Sequence, residues 1–339
     1  MRVLCTGGLG YIGSHTVVKL IEAGIDVHIV DNLSNSSVEV LNRIRTLTGK
    51  QVPFTKLDIA DSHGLSALLS SHQFDSVIHF AALKSVGESV TKPLMYYQNN
   101  VVGTIAMLET LDKFNIRSVV FSSSATVYQA SNDRLRENAP LGASNPYGRT
   151  KRMMEQVFQD IAASDPRWRI EILRYFNPVG AHPSGLIGEH PQGIPNNLFP
   201  YIQQVGIGIM PYLSIFGNDY PESPDGTGIR DYIHVEDLAE AHVLALKYLH
   251  REGKVYSVHN LGTGNGSSVM EVVNAFSKVS GKEIPYKVVG RRPGDIGRAV
   301  CDPSLAEAEL GWKAKYDMRE MMEHAWKWQI QNPQGYSAN

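Results

Sequence analysis

The stretch Arg2-Val3-Leu4-Cys5-Thr6-Gly7-Gly8-Leu9-Gly10-Tyr11-Ile12-Gly13 decides the fold class of this chain. Residues 2–6 are an apolar run that predicts a buried strand, and residues 12–23 have the apolar spacing of a helix. The glycines at 7, 10 and 13 permit a tight turn, close approach of a pyrophosphate and close packing of the helix on the strand. Their spacing, G-x-x-G-x-x-G, is a variant of the dinucleotide-binding fingerprint. Other residues must therefore identify the ligand.

An acidic residue ends the next predicted strand. Asp31 follows the apolar run 27–30 and can accept hydrogen bonds from both hydroxyl groups of an adenosine ribose. No arginine occurs within the next eleven residues, so a ribose 2′-phosphate would have no evident cationic partner. The pattern therefore predicts NAD, rather than NADP, as the cofactor.

A second set of residues indicates what the cofactor is used for. Tyr147 and Lys151 are four residues apart, so they share one face if residues 146–160 are helical. Pro146 suits the first turn of such a helix, where the N–H that it lacks would have no partner. The serines 122–124 follow a predicted strand about two dozen residues upstream. A phenol, an ammonium group and a hydroxyl group could thus converge on one substrate oxygen.

The chemistry of this trio requires a positive charge. Tyrosine has a pKa of about 10, so it must drop by roughly 3 units, about 4 kcal/mol, to act as a base near neutral pH. One cation at ~5 Å with an effective dielectric constant of ~20 gives about 3 kcal/mol, or ~2 units. Oxidised nicotinamide would supply a second positive charge, which agrees with the NAD prediction.

Composition fits an enzyme without nucleic-acid or membrane partners. The 339 residues are 42% hydrophobic and 19% charged, with a formal net charge of −2 and no cluster of Lys and Arg. No apolar stretch reaches 18 residues, so we expect no membrane span. The histidines lack a metal-ligand spacing, so we expect no metal. Cys5 and Cys301 are the only cysteines, and Cys5 lies in a core strand, which favours a reducing cytoplasm over a disulfide.

The order of elements predicts an α/β fold with a doubly wound parallel sheet of the Rossmann type. Strand patterns at 52–57, 76–80, 118–122 and 170–175 alternate with helical patterns at 64–72, 93–114 and 147–163. The stretch 178–224 is rich in Pro, Gly and Asn and predicts loops with short helices. We therefore expect an NAD-binding domain at 1–176, with segments near 225–262 packing back on it, and a smaller α/β substrate domain at 177–339.

Several longer motifs resemble one family. The chain is similar, nearly end to end, to the UDP-glucose 4-epimerases, also called UDP-galactose 4-epimerases, of the extended short-chain dehydrogenase/reductase superfamily. The Tyr-x-x-x-Lys motif alone would indicate only the superfamily. The motifs that carry the resemblance are Gly-Tyr-Ile-Gly-Ser-His (10–15), Asp-Asn-Leu (31–33), Val-Ile-His-Phe-Ala-Ala (77–82), Ser-Ser-Ser-Ala-Thr-Val-Tyr (122–128), Arg-Tyr-Phe-Asn-Pro-Val-Gly-Ala-His-Pro (174–183), Gly-Ile-Pro-Asn-Asn-Leu (193–198) and Arg-Asp-Tyr-Ile-His-Val (230–235).

The resemblance implies roles for matching residues. Catalysis falls to Tyr147, Lys151 and Ser124. The cofactor would be bound by Gly7, Gly10, Tyr11, Ile12, Gly13, Asp31, Asn32, Leu33, Ser34, Asn35, Ser36, Asp58, Ile59, Phe80, Ala81, Ala82, Lys84, Asn99, Ser122, Tyr147, Lys151 and Phe176. The UDP-sugar would be held by Ser124, Tyr147, Asn177, Asn197, Leu198, Ser214, Ile215, Phe216, Arg230, Arg292, Asp295 and Ala299.

The resemblance also implies a reaction and an assembly. Hydride leaves C4 of the UDP-sugar for NAD, a 4-keto sugar forms, and the hydride returns to the opposite face. At position 299, family members restricted to plain hexoses have a tyrosine; Ala299 would admit N-acetylated UDP-hexoses unless a neighbour such as Arg298 fills the gap. The family suggests a homodimer through helices near 91–114 and 147–163.

Two other functional classes remain open from the residues. A related nucleotide-sugar dehydratase or decarboxylase needs an acid just before Val127-Tyr128, where this chain has Ala125-Thr126. A non-catalytic NAD-binding regulator usually lacks the tyrosine or the lysine, and both are present here. The loop 129–143 departs from the family pattern, with Gln129-Ala130 where a glycine is common.

Overall fold

Strands and helices alternate through the first half of the chain, as predicted. The structure, a computed structural model, describes residues 1–193, 195, 197–251, 253, 255–292 and 294–336. The strands of this half are β1 (Arg2–Thr6), β2 (Asp26–Asp31), β3 (Phe54–Lys56), β4 (Ser76–His79), β5 (Ser118–Ser124) and β6 (Arg169–Tyr175). The helices are α1 (Tyr11–Glu22), α2 (Glu39–Thr48), α3 (Ser62–Ser71), α4 (Val86–Thr91), α5 (Pro93–Tyr97), α6 (Gly103–Lys113) and α7 (Pro146–Ser164); a π-helical turn spans Gln98–Val102 and a 3-10 turn spans Ala125–Val127.

The second half is more regular than its composition predicts. The stretch expected to be mainly loops contains two strands and a helix, because short apolar runs there find partners elsewhere in the chain. The elements are β7 (Asn177–Val179), α8 (Leu198–Gly206), β8 (Leu213–Phe216), β9 (Ile229–His234), α9 (Val235–Leu249), β10 (Tyr256–Leu261), β11 (Gly266–Ser268), α10 (Val269–Ser280), β12 (Tyr286–Val289), β13 (Arg298–Ala299), α11 (Ser304–Leu310) and α12 (Met318–Gln331).

Seven strands form one parallel sheet in the order β10-β6-β5-β4-β1-β2-β3. This confirms the predicted doubly wound α/β fold. The strand order reverses next to β1, and ligands of such sheets bind beyond the carboxyl ends of the strands at this point. Asp31, His79, Ser124 and Tyr175 are the last residues of four of these strands, so the sheet gathers them at one edge.

Part of the second half packs on this sheet. Strand β10 pairs with β6, and α9 packs against α1. Buried apolar residues of α9, such as Leu238 and Leu246, share one core with Val17 and Leu20 of α1. The division into an NAD-binding domain and a substrate domain at residue 177 stays a prediction. The last three residues of the predicted substrate domain, 337–339, lie outside the described residues.

A smaller layer carries the second half of the expected site. Strands β11, β9 and β13 form one sheet, with β7 also paired to β9, and β12 pairs with β8. Helices α8, α10 and α12 cover it through a separate apolar core that includes Phe199, Phe276 and Met322. Helix α10 starts at Ser268, which forms a capping box with Glu271. No helix within the described part of the chain is long and apolar enough to cross a membrane.

Candidate active site

The start of α7 places Tyr147 against the end of β5. Asn145 caps the helix, because its Oδ1 accepts a hydrogen bond from the N–H of Gly148 at 2.9 Å. A Cβ at Gly148 would lie 2.5 Å from the carbonyl oxygen of Thr126, so glycine permits the helix to approach the turn after β5. Tyr147 and Lys151 are both buried, one helical turn apart. The predicted convergence of this pair with the serine run is therefore present.

Two of the three serines interact with the tyrosine–lysine pair. The Nζ of Lys151 donates to the carbonyl oxygen of Ser122 at 2.6 Å. The Oγ of Ser124 accepts from the N–H and Oγ1 of Thr126 at 3.2 and 3.0 Å. Its own proton is therefore available for the phenol group of Tyr147, and the interaction with Ser124 lowers the pKa of that group.

The pKa values differ from the expectation drawn from charge alone. Burial raises the pKa of Tyr147 to about 12, and the bond from Ser124 offsets this only in part. Burial also lowers the pKa of Lys151 to about 7, against the opposing charge of Glu155. Burial is therefore the dominant influence on both groups, and Lys151 alone does not bring the tyrosine pKa near neutral pH. A positive charge at the nicotinamide position would favour the phenolate, which agrees with the expectation that oxidised nicotinamide supplies the second charge.

The glycine turn forms a cradle for a dinucleotide. Gly7 has φ 70°, and a Cβ there would lie 2.7 Å from the N of Ala81. A Cβ at Gly13 would lie 2.3 Å from the carbonyl oxygen of Gly7. Helix α1 has Gly10 as its N-cap, with no side chain over its first N–H groups, so these can bind an anion. The residues present therefore fit NAD, whose pyrophosphate would lie over Tyr11 and Ile12.

Asp31 organises the expected ribose end. Its carboxylate accepts from the N–H groups of Leu9 and Leu33 at 3.1 and 2.9 Å and from the Oγ of Ser36 at 2.7 Å. Leu33 has φ 65°, a left-handed conformation that turns the chain back toward the carboxylate. Asp31 thus has a second task that the sequence pattern did not reveal: it ties the 31–36 segment to the glycine turn.

The remaining residues predicted to bind the cofactor follow strands of the large sheet or lie in the π-helical turn. Asn32 donates to Asp58 at 2.9 Å, and Ile59 packs in the core beneath. Asn99 donates to Asn100, whose side chain holds both the N–H and the carbonyl oxygen of Leu83. Four further predicted residues follow β2 and β4, and a fifth follows β6: Ser34, Asn35, Ala81, Ala82 and Phe176. Phe80 packs against His242 with ring centres 4.9 Å apart.

Lys84 and Asn197 meet at a residue that the sequence did not single out. The Nζ of Lys84 lies 2.8 Å from the Oε1 of Glu189, and the Nδ2 of Asn197 donates to the same oxygen at 3.2 Å. Glu189 is buried and thus joins a predicted cofactor residue to a predicted substrate residue. Nothing in its sequence neighbourhood marks it, because the contact depends on the tertiary fold. Ile194 and Asn196 of the same motif lie outside the described residues.

Arginine and aromatic residues form the expected nucleotide end. Arg230 on β9 donates to Asp295 at 2.6 Å, and the guanidinium of Arg292 lies 4.2 Å above the ring of Phe216. Phe216 ends β8, which also carries Ser214 and Ile215. Asn177 starts β7, which pairs with β9, and Leu198 starts α8. Pro293, beside Arg292, lies outside the described residues.

This nucleotide end adjoins the catalytic helix. The Oγ of Ser144, three residues before Tyr147, donates to the carbonyl oxygen of Gly294 at 2.8 Å. Ala299 pairs in register with Arg230 on the neighbouring strand, so both side chains point to the same face. Among the described residues, no group of three or more His, Cys, Asp or Glu side chains could hold a metal ion.

Comparisons with known proteins agree with this geometry. A family model described as GDP-mannose 4,6 dehydratase matches residues 4–325. The chain is 53% identical over 340 residues to a UDP-glucose 4-epimerase of Bacillus subtilis, covering 100% of this chain and 99% of that protein. The chain belongs to the UDP-glucose 4-epimerase family. This family lies within the extended short-chain dehydrogenase/reductase group, as the sequence motifs predict.

Solved structures of the family share the whole fold. The UDP-glucose 4-epimerase from Bifidobacterium longum, solved in complex with NAD⁺ and UDP, superposes with a TM-score of 0.95 at 47% identity, covering 99% of this chain and 100% of that one. The UDP-Glc/GlcNAc 4-epimerase of Campylobacter jejuni matches with a TM-score of 0.83 at 36% identity, covering 97% and 99%. Members of this family with different sugar ranges therefore have the same architecture.

Proposed function

We propose that this protein is an NAD-dependent isomerase that interconverts UDP-galactose and UDP-glucose by inverting C4 of the sugar. The observation that carries the proposal is the convergence of Tyr147, Lys151 and Ser124 at the sheet edge that also holds the glycine cradle. The loop with Arg292 and Asp295 is tied to the start of the same catalytic helix. Redox cofactor, proton-transfer group and nucleotide anchor thus meet in one site.

The side chains divide the reaction between them. Tyr147, as a phenolate, accepts the proton of the sugar 4-hydroxyl, and Ser124 donates to the same oxygen in the 4-keto intermediate. NAD held at this site would supply the oxidising power, as acceptor and then donor of the C4 hydride. Arg230 and Arg292 retain the diphosphate while the keto sugar turns over about its link to phosphate. Tyr147 then gives the proton back, so no NAD is consumed.

The alternative functions lack support at specific atoms. A dehydratase or decarboxylase would need an acid at Ala125 or Thr126, and the hydroxyl of Thr126 is instead bound to Ser124. The dehydratase description of the family model therefore does not determine the reaction of this chain. A non-catalytic regulator would not require Tyr147 and Lys151 to be buried and aligned at the cofactor cradle.

The substrate range includes N-acetylated UDP-hexoses in this proposal. Ala299 replaces the tyrosine that narrows the sugar pocket in family members limited to plain hexoses. Arg298 cannot refill the space, because consecutive strand residues point to opposite faces and Arg298 pairs in register with Ile229 rather than Arg230. The Campylobacter jejuni relative, described as acting on both UDP-Glc and UDP-GlcNAc, shows that this architecture serves both sugar types.

The assembly in this proposal is a homodimer of a cytoplasmic protein. Leu94 is 82% exposed, and Met95, Val102, Ile105 and Met153 add further exposed apolar surface on α5, the π-helical turn, α6 and α7. A second copy of this chain would cover these helices, at the place that the family suggests. Both cysteines are buried and unpaired, which suits a reducing compartment.

One experiment tests the activity directly. Purified protein is incubated with UDP-galactose and no added NAD, and UDP-glucose formation is followed through a coupled dehydrogenase. Turnover without added cofactor supports the proposal, whereas absence of turnover in NAD-loaded protein would refute it. Sedimentation of Leu94→Asp together with Met153→Asp tests the dimer, and Ile330→Asp, at a residue 56% exposed on α12, is the matched control.

A further inference from the structure

A repeated contact links β5 to α7 beyond the catalytic pair. Tyr147, Lys151 and Glu155 follow one another at four-residue intervals along the same face of α7. The carbonyl oxygen of Ser122 accepts from Lys151, the hydroxyl of Ser123 donates to Glu155, and the side chain of Ser124 lowers the pKa of Tyr147. Three consecutive strand residues thus hold three consecutive turns of the helix. Glu155 is the one member of this series without a role in the chemistry above.

Glu155 is held in place by a buried arginine. Arg174 on β6 donates from Nε to Oε1 at 3.0 Å and from Nη2 to Oε2 at 2.7 Å. Its Nη1 donates to the phenol oxygen of Tyr128 and the carbonyl oxygen of Glu137, each at 2.8 Å. Both members of the ion pair are 5% exposed. Such a pair is poor evidence of stabilisation, since apolar residues often do as well in its place. The buried Arg174–Glu155 ion pair is therefore better explained by a function in the site than by stabilisation of the fold.

Lys151 has few other charged neighbours. On its own helix are Tyr147 and Glu155; on β5 it meets the Ser122 carbonyl and, at 4.8 Å, the ring of Phe121. On β4 the nearby group is His79, which burial keeps neutral, with a pKa lowered to about 3. Glu155 is the charge that opposes the effect of burial on the lysine. Ser123, Arg174 and Tyr256 face Glu155 itself.

We propose that Glu155 is a positioning residue that keeps Lys151 aimed and in its ammonium form, and that Arg174 and Ser123 fix Glu155 for this purpose. The proposal rests on the function proposed above. Glu155 follows Lys151 by one turn of α7, and its charge opposes the effect of burial on the lysine. Loss of the carboxylate charge leaves a buried ammonium without a counter-charge. Lys151 then releases its proton at lower pH and no longer favours the phenolate of Tyr147.

The first test is the pH dependence of turnover in Glu155→Gln. This variant keeps the length of the side chain and its acceptor but removes the charge. We expect the alkaline limb of kcat to move down by about one pH unit, which is a tenfold loss on that limb, with a much smaller loss near pH 6. A role in folding alone would scale kcat equally at all pH values. Glu323→Gln, at the exposed partner of Arg319 on α12, is the matched control and should leave the profile unchanged.

Two further variants separate charge from structure. Glu155→Met combined with Arg174→Met replaces the ion pair by apolar side chains of similar length, so the fold has no unpaired buried charge. We expect near wild-type Tm with the same shift of the alkaline limb. Glu155→Asp keeps the charge and should restore the wild-type limb even if kcat is lower. The proposal is overturned if the profiles of Glu155→Gln and the double variant superpose on wild type after scaling.

A readout without turnover distinguishes this proposal from the epimerase assignment. The ionisation of Tyr147 in the NAD-loaded protein is followed by absorbance near 295 nm as the difference between each protein and its Tyr147→Phe counterpart. Glu155→Gln should move this titration to higher pH. An unchanged titration refutes the role of Glu155, whereas a shifted titration in a protein that does not convert UDP-galactose refutes only the reaction.

Discussion

The Nζ of Lys151 lies 2.6 Å from the carbonyl oxygen of Ser122, whereas the same Nζ lies 6.0 Å from the centre of the Tyr147 ring. The lysine is thus anchored to the sheet backbone rather than to the tyrosine that it serves. The strand end therefore sets the position of the Lys151 ammonium group relative to the Tyr147 ring.

Tyr147→Phe should lower turnover of UDP-galactose by about 2 or more orders of magnitude, the scale of general acid–base catalysis. The ring and its packing remain, so UDP binding should survive. The measurement is kcat by the coupled assay, with UDP affinity by calorimetry. Tyr286→Phe, at an exposed tyrosine on β12, is the control and should retain full activity. Near wild-type turnover in Tyr147→Phe would remove this residue from the mechanism.

Asp31→Asn should reduce the NAD(H) that purifies with the protein. The wild-type protein should retain its cofactor, because NAD is regenerated in each cycle and its release gains nothing. The amide can accept at only one of the two oxygens that now serve Leu9, Leu33 and Ser36, so both the turn and the ribose contact weaken. Cofactor released by denaturation is assayed per mole of protein. Asp26→Asn, at the exposed start of the same strand, is the control. Wild type that holds no NAD and depends strictly on added NADP would refute the assignment of Asp31.

Ala299→Tyr should abolish or strongly reduce turnover of UDP-N-acetylglucosamine and UDP-N-acetylgalactosamine while retaining the plain hexoses. The added ring would lie on the face that carries Arg230 and occupy the space needed by the acetamido group in both orientations of the keto sugar. Both substrate pairs are assayed in each protein. Arg298→Ala, on the opposite face, should leave the ratio of the two activities unchanged. The idea fails if wild type does not convert the N-acetylated pair or if the tyrosine variant converts it equally well.

Local patterns made the catalytic half of the site readable from sequence. The glycine spacing, Asp31 at a strand end and the four-residue step from Tyr147 to Lys151 each depend on neighbours in the chain. The structure also confirms the predicted doubly wound parallel sheet. Glu189 and Arg174 were not predicted, because their partners lie 105 and 19 residues away along the chain and only the fold brings them together.

Two errors of the sequence reading have physical causes. The stretch expected to be loops with short helices also contains the strands β7 and β8, since short strands such as β7 are set by pairing with β9 rather than by local propensity. The tyrosine pKa was expected to fall through the charge of Lys151, but burial dominates both groups. A signal for Glu155 was present in the sequence, because it follows Lys151 by four residues.

Acidification from about pH 6.5 to pH 4 should destabilise the protein, and His28 offers a way to measure one contribution. Burial lowers the pKa of His28 to about 4, and that of His15 and His242 likewise. Because these values lie below that of an unfolded histidine, about 6.5, the unfolded chain binds more protons between the two values. The stability they contribute is complete above pH 6.5 and is lost as the pH falls toward 4. Asp237, whose pKa burial raises to about 6, adds stability as the pH falls. Its effect is smaller than the combined loss from the three histidines.

The variant His28→Gln isolates this effect. The Nε2 of His28 is 2.8 Å from the Oγ1 of Thr55, and a glutamine can make an equivalent bond without titrating. We expect the stability difference between wild type and variant to change by up to about 2 kcal/mol between pH 6.5 and pH 5, in favour of the variant at the lower pH. The measurement is chemical denaturation at both pH values, with exposed His63→Gln as the control. Parallel curves for wild type and His28→Gln would show that His28 is not held neutral in the folded protein.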